Sequence, residues 1–337
     1  MNIFMTGATG FVGGEVAARL TAEGHGVTAL VRRSQAIRAN DGSIVTGIGR
    51  VQGDIAEPRL GLDADRFREV SADHDLVIHC AATTRFDLDD DAYSAINIGG
   101  TTHAVDLARL GGIPLLHVST AYVCGTRDGP IREDDPLPDQ GWANGYERSK
   151  AAAERIVADS GLRHAIARPS IVVGDSETGR IRDFGAVYGL FKLIAEGRFK
   201  RIPAVSGASL DFVAIDYVAS GIAELAGRID EAEGAYHLVS GAPVPLDMAV
   251  GLVAGFANLH APQLVDPGAY DVTSLSARER WIFDNAFAHY GSYVTRDPRF
   301  DDRRFRGFSA TPRPATDIGF VRKLIEHAIE AGFVKAA

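Results

Sequence analysis

Short apolar runs alternate with amphipathic stretches through the first half of the chain. Ile3-Phe4-Met5 and residues 27–31, 75–82 and 115–120 are dominated by apolar side chains, as strands buried in a parallel sheet are; residues 48–52 can supply one more. Apolar residues return at helical spacing in Glu15-Val16-Ala17-Ala18-Arg19-Leu20, and residues 89–111 and 151–158 read as further helices. Strands and helices in alternation predict an α/β fold, a doubly wound parallel sheet. Gly99 and Gly100 fall inside one expected helix, where each costs about 1 kcal/mol against alanine, so close packing or a backbone contact should compensate.

The pattern changes after residue 174. Residues 174–207 read as an insertion in which Gly185-Ala186-Val187-Tyr188-Gly189-Leu190-Phe191-Lys192-Leu193-Ile194 mixes aromatic and aliphatic residues at helical spacing, then meets Arg198, Lys200 and Arg201. An apolar lid over an acyl or lipid chain and an ordinary amphipathic helix with a basic end both fit. Residues 277–290 carry Trp281, Ile282, Phe283, Phe287 and Tyr290, an aromatic stripe that reads as core before pocket. Residues 296–306 hold five arginines and read as a charged surface loop, with a clamp for anionic groups as the sharper alternative. Residues 317–331 form a closing helix with Ile318, Val321, Ile325 and Ile329 on one face.

The turn after the first strand is Thr6-Gly7-Ala8-Thr9-Gly10-Phe11-Val12-Gly13-Gly14. Its first glycine permits a tight turn, its second lets the backbone approach a pyrophosphate, and its third lets the helix lie close to the strand. The helix N-terminus adds N–H donors and the positive end of a dipole. A glycine turn with no ligand has the same spacing, so the residues downstream decide. Arg32 and Arg33 end the second strand, where a site for NAD usually carries an acid; two guanidinium groups suit the 2′-phosphate of NADP. NADP(H) is therefore expected ahead of NAD(H), a solvated basic strand end being the plainer reading. Asp54, before Ile55, could accept from an adenine amino group or cap the turn ahead of Pro58. Ala81 and Ala82 leave room for a cofactor at a strand end; His79 and Cys80 lack partners at metal or triad spacing and read as packed residues. Tyr146 and Lys150 lie one helical turn apart. A cation there would draw the phenol's pKa from about 10 toward neutral, where it serves as an acid or base.

Taken together, Thr6-Gly7-x-x-Gly10-x-x-Gly13, Gly53-Asp54, Ala81-Ala82, Asn97-x-x-Gly100-Thr101, Ser119-Thr120, Tyr146-x-x-x-Lys150 and Arg168-Pro169-Ser170-Ile171-Val172 resemble the extended, atypical branch of the short-chain dehydrogenase/reductase superfamily. The resemblance implies a Rossmann sheet with a smaller, discontinuous, mainly helical substrate domain. Residues 1–175 and 208–240 would bind NADP, and residues 176–207 and 241–337 the substrate. Tyr146 would be the catalytic acid/base, with Lys150 holding the nicotinamide ribose and lowering the tyrosine's pKa. Thr120, ahead of Ser119, would orient the substrate oxygen, and Asn97 would support a proton path at Lys150. Gly7, Thr9, Gly10, Phe11, Val12, Gly13, Arg32, Arg33, Asp54, Ile55, Ala81, Ala82 and Lys150 would bind the cofactor, with Pro169 and Val172 lining the nicotinamide pocket. His79-Cys80-Ala81-Ala82-Thr83-Thr84-Arg85-Phe86-Asp87 and His117-Val118-Ser119-Thr120-Ala121-Tyr122-Val123 look like fatty acyl-CoA, thioester and keto-lipid reductases. That implies reduction of a lipophilic carbonyl, either a keto-lipid such as an oxidised ceramide-like lipid or an acyl thioester. Nucleotide-sugar epimerases and dehydratases usually carry Tyr-Gly where this chain has Cys124-Gly125, which puts that reading second. A cofactor-binding sensor or complex-stabilising protein is the non-enzyme alternative, against which the intact Thr120, Tyr146 and Lys150 weigh.

Composition narrows the rest. With 337 residues, 46% of them hydrophobic, the chain can bury one large core or two unequal ones. A net charge of -9 without a long block of one sign argues against nucleic acid as partner. Cys80 and Cys124 are the only cysteines, so neither a disulfide framework nor a metal site is expected, and a reducing cytoplasm suits them. The glycine turn begins at Thr6, leaving no room behind Met1 for a signal peptide, and no apolar run approaches the roughly 18 residues of a membrane span. Peripheral membrane contact and oligomeric state stay open.

Overall fold

The computed structural model describes every residue except Ser34, Ala288, His289, Ala336 and Ala337. A seven-stranded parallel sheet lies at its centre. The strands are β1 (Asn2–Thr6), β2 (Gly26–Val31), β3 (Gly49–Gln52), β4 (Leu76–His79), β5 (Leu115–Val118), β6 (His164–Pro169) and β7 (Gly234–Leu238). They run in the order β7-β6-β5-β4-β1-β2-β3. The expected doubly wound α/β class is what the chain adopts. Alternate strand residues feed two cores. Ile3, Met5, Ile78 and Leu116 pack with Val16, Leu20 and Ile222 on one face, while Phe4, Val77 and Leu115 meet Phe67, Val105 and Leu107 on the other. Strand order reverses between β1 and β4, so their carboxyl ends open the crevice where such sheets take ligands.

The glycine turn fills that crevice's floor. Gly7 sits at φ +79°, a conformation side chains resist, and a Cβ on Gly13 would lie 2.1 Å from the Gly7 carbonyl oxygen. The helix Phe11–Ala22 therefore lies directly against the turn. The expected helix 89–111 is split: Asp90–Tyr93, a π-helical turn Ser94–Gly99, then Gly100–Gly111. The wide turn re-aims Asn97 into the interior, as such turns often do at working sites. Gly100 has its expected close neighbour, since a Cβ there would lie 3.1 Å from the Ile55 side chain.

Beyond the sheet, the helices Ala186–Ala195, Leu246–Ala254 and Ile318–Glu330 share a separate apolar cluster that includes Ala195, Leu252, Val253, Val321 and Ile325. Asp317 caps the closing helix by accepting from Gly319 and Phe320. The aromatic stripe divides: Trp281 is 66% exposed while Phe287 is 3% exposed. Ala277–Ile282 is α-helical, followed by a π-helical turn, Phe283–Phe287; residues 288 and 289 of the expected helix lie outside the described residues. Residues 296–306 are not a surface loop. Pro298–Phe300 pairs in parallel with Gly129–Ile131, and Phe305 is fully buried in the sheet core against Tyr217 and Tyr236. The buried Glu133 carboxylate accepts the N–H groups of Arg304, Phe305 and His237, which ties this stretch to β7. Among the described residues no helix is long and apolar enough to cross a membrane.

Since the atoms crowding Gly13 all belong to the backbone of Gly7 and Ala8, Gly13→Ala should destabilise the fold by about 1–3 kcal/mol in urea unfolding. An unchanged midpoint would show that the turn opens without cost.

Candidate functional site

The crevice is built to receive an anion. Gly10 caps the helix Phe11–Ala22 with no side-chain bond, and no acidic residue stands in the first turn, so the terminal N–H groups keep their positive field. A Cβ on Gly7 would lie 2.5 Å from the Ala81 nitrogen, which seals β4's end against the turn. Thr9, Phe11, Val12 and Ala82 lie around it, all partly shielded from solvent, while Gly10 is exposed. These residues fit a dinucleotide pyrophosphate. Arg32 and Arg33 are exposed at the end of β2, Arg32 lying 3.9 Å from the Asp54 carboxylate. Asp54 caps its own turn, accepting from the Ala56 N–H at 3.1 Å, and the Ile55 carbonyl bonds the His103 ring at 2.9 Å. Pro169 ends β6, and Val172 is half-buried in the short strand Ile171–Val173.

Tyr146 and Lys150 come from the helix Gly145–Ala158, capped by Asn144 through the Glu147 N–H. Burial pushes the Tyr146 phenol above its ordinary range, opposed by a hydrogen bond with Thr120. This differs from the expected lowering by Lys150. The lysine instead donates to the Val118 carbonyl at 2.8 Å and to His117 Nε2 at 3.2 Å, and is 2% exposed. Burial brings its own pKa down to about 8. Tyr146 is thus protonated and Lys150 charged at neutral pH. Cys80 stands beside the turn, its carbonyl carbon 2.6 Å from where a Cβ on Gly7 would lie. Ser119 shows no such contact with Tyr146, and its buried hydroxyl has no partner among the described residues. Asn97 accepts from the Thr83 N–H at 2.8 Å and donates to Ser149 at 2.8 Å; its amide holds the loop after Ala82 and does not touch Lys150.

The sequence marks His79 as a packed residue and gives His117 no role, yet both belong to the site. His79 is buried, and its bonds fix its tautomer. Thr101 donates to the Asn97 carbonyl at 2.7 Å, so its oxygen accepts from His79 Nε2 at 3.1 Å. Nδ1 then accepts from Thr6, 2.8 Å away, whose oxygen receives the Ala81 N–H at 3.3 Å. Burial lowers the His79 pKa to about 3, keeping the ring neutral. One hydrogen-bonded chain therefore runs from the strand end, through the first residue of the glycine turn, to Asn97.

The far wall comes from the C-terminal half. Phe86 lies 5.4 Å from the Tyr146 ring and touches Tyr290 at 5.1 Å and Tyr293 at 6.1 Å. Glu147, next to Tyr146, is paired with the 4%-exposed Arg296, which also donates to the Gly125 carbonyl and lies over the Tyr122 and Tyr293 rings. Glu147 lies inside the Tyr-x-x-x-Lys motif and is visible there; nothing local marks Arg296 as its partner. Behind the wall is an apolar cavity of about 150 Å³, lined by Leu190, Phe191, Ile194, Leu246, Phe287 and Val294 among others. Phe287 and Val294 thus face the cavity, while Tyr290 and Tyr293 stand toward Phe86. Among the described residues, no group of three or more His, Cys, Asp or Glu is placed to hold a metal, and both cysteines are free.

The chain belongs to the Male sterility protein family, whose model matches residues 5–222, and it is of the extended short-chain dehydrogenase/reductase type. It is 29% identical over 259 residues to a linear gramicidin synthase of Brevibacillus parabrevis, an alignment covering 70% of this chain and 5% of that protein. To the 4-hydroxy-2-methyl-3-oxo-4-farnesyl-3,4-dihydroquinoline-1-oxide ketoreductase of Stigmatella aurantiaca it is 31% identical over 258 residues, covering 73% of this chain and 70% of that one. The terminal R domain from the myxalamid PKS-NRPS biosynthetic pathway superposes with a TM-score of 0.84 at 26% identity, covering 99% of this chain and 92% of that chain. The chain spans between 5% and 28% of the length of five curated relatives that it matches.

Removing one partner of a buried ion pair strands the other, at about 3–5 kcal/mol. Arg296→Met should lose that much in denaturant unfolding, and Glu147→Gln combined with Arg296→Met should recover part of it. Additive losses would show that the two residues act independently.

Proposed function

We propose that the chain is an NADPH-dependent reductase that delivers hydride to the carbonyl of a lipophilic substrate, with Tyr146 as general acid. The observation that carries this reading is the buried, protonated Tyr146 held by Thr120 beside the glycine turn and faced by Phe86. NADPH, when bound, supplies the hydride. The glycine turn and the uncapped helix would hold its pyrophosphate, Arg32 and Arg33 its 2′-phosphate, and Lys150 its nicotinamide ribose. Thr120 orients the substrate oxygen, and Tyr146 gives that oxygen its proton as hydride reaches the carbonyl carbon. A phenol raised by burial keeps at neutral pH the proton that reduction requires of it. Residues 1–175 and 208–240 are assigned to the cofactor and residues 176–207 and 241–337 to the substrate, with the helix Arg303–Phe308 completing the sheet's core.

The apolar cavity and aromatic wall support a lipophilic substrate over a nucleotide-sugar. At about 150 Å³ the cavity matches one that takes a benzene-sized apolar group, so it would receive a ring or the end of a chain rather than a whole lipid. The helix Ala186–Ala195 forms one side of it, in keeping with a cover over apolar substrate. A farnesyl-bearing ketone is the substrate named for the Stigmatella relative, which supports a ketone first; likeness to the terminal R domain supports an acyl thioester second.

Tyr146→Phe should cut turnover by about 10²–10⁴-fold while NADPH still binds, read by fluorescence titration; near-native turnover would remove the general-acid role. Each charge-assisted bond to a 2′-phosphate contributes about 1.5–3 kcal/mol, so Arg32→Ala with Arg33→Ala should weaken NADPH binding at least tenfold and leave NADH binding unchanged. Equal losses for both cofactors would refute the NADP preference. Lys150 is charged below a pKa of about 8 and neutral above it, so kcat/KM for reduction should fall as pH rises through that value. A profile flat from pH 6 to about 10, the ordinary lysine range, would separate Lys150 from the reaction.

A further inference from the structure

Among the described residues, His117 is the only side chain that accepts from Lys150 Nζ. An ammonium has no lone pair, so Nε2 is the acceptor and the ring's proton sits on Nδ1, buried without a partner among the described residues. The ring stacks on His79, centroids 5.4 Å apart and planes 22° from parallel. His79 is in turn fixed by Thr6 and Thr101. Glu154, one turn along from Lys150, could have taken the charge, yet its carboxylate is engaged by Arg168 through contacts of 2.6–3.1 Å.

We propose that His117 is a positioning residue for Lys150: its neutral ring, held by stacking on His79, fixes one ammonium hydrogen and couples the lysine to the Thr6 end of the glycine turn. With the Val118 carbonyl taking a second hydrogen, one is left for cofactor ribose or Tyr146. A neutral acceptor serves here where a carboxylate would not. It holds the ammonium without cancelling the charge that the ribose and a developing phenolate would feel. The inference rests on the role given to Lys150 above.

The groups around this lysine are His117 on β5, His79 and Cys80 at the end of β4, and Glu154 with its partner Arg168 on β6. His164 and His103 stand further out and act on the two histidines. Both histidines stay neutral near neutral pH, held down first by burial and then by Lys150, and burial lifts Cys80 to about 11. Lys150, at about 8, is left as the group of this cluster that titrates between them.

The test uses lysine-selective isotope labelling, since the chain has five lysines, with NMR titration of the protein and the pH profile of kcat/KM read in parallel. His117→Phe keeps a ring on His79 but removes the lone pair; the Lys150 midpoint and the alkaline limb should both move about one pH unit lower, with kcat reduced about tenfold. His117→Gln restores an acceptor oxygen and should return both toward native values. A purely packing role predicts the reverse order, with Phe native-like and Gln impaired, and that result overturns the proposal, as does a midpoint unmoved in Phe. If His117→Phe does not fold, His117→Leu replaces it with the same two readings. The titration decides the His117 contact without turnover. Inactivity on every carbonyl substrate would instead count against the reductase reading.

Discussion

Lys150 carries a positive charge into the interior, and its hydrogen-bond acceptors there are neutral: a backbone carbonyl and an imidazole. Burying an unpaired ammonium is costly unless its hydrogens find acceptors. The surrounding structure can be understood as the answer to that cost. The Val118 carbonyl turns toward it at the end of β5, His117 offers a lone pair, and the depressed pKa records what burial leaves uncompensated. The same requirement forces His117 into one tautomer. His79 reaches its own tautomer independently, through Thr6 and Thr101, and the two neutral rings can then stack without repulsion. A protonated pair at that spacing would repel both itself and the lysine.

The Tyr146 helix is also held by a second contact. Glu147 engages the Arg296 guanidinium while Lys150, three residues on, bonds β5, so one stretch of helix is anchored to different parts of the fold. Lys150 belongs to the sheet through β5, and Glu147 to the C-terminal half. Arg296 stacks over Tyr122 and Tyr293, so movement of the far wall would be felt one residue from the phenol. An ion pair of this kind contributes little net stability compared with an apolar replacement, and its use here is to fix orientation.

Much of this is legible in the chain. The strand pattern, the glycine turn and the Tyr-x-x-x-Lys pair are local signals, and local physics keeps them: helix spacing sets Tyr146 to Lys150, and backbone crowding demands Gly7 and Gly13. What escapes is long-range. Glu147 to Arg296 crosses 149 positions and His117 to Lys150 crosses 33, and neither pairing has a periodicity to reveal it. Residues 296–306 mislead because five arginines outweigh two phenylalanines in composition, whereas burial follows the phenylalanines and the backbone bonds to Glu133. The π-helical turn at Ser94–Gly99 is hidden for a related reason, since Gly99 and the following Gly100 read as a cost before their neighbours are known.

On the proposed function, Phe287, Tyr290, Tyr293 and Val294 keep chemistry and selectivity apart. One short stretch presents Tyr290 and Tyr293 to the reacting side and Phe287 and Val294 to the apolar cavity. Under the proposed function, substitutions facing the cavity would change what can be accommodated while leaving Thr120, Tyr146 and Lys150 in place. Substitutions on the Tyr293 face do not have that freedom, because Tyr293 packs on Arg296 and Arg296 on Glu147. Substrate range should therefore diversify through the cavity side of this stretch and the helix Ala186–Ala195 first. The wall beside Tyr146 can change only where the Glu147–Arg296 pair is preserved or replaced as a unit.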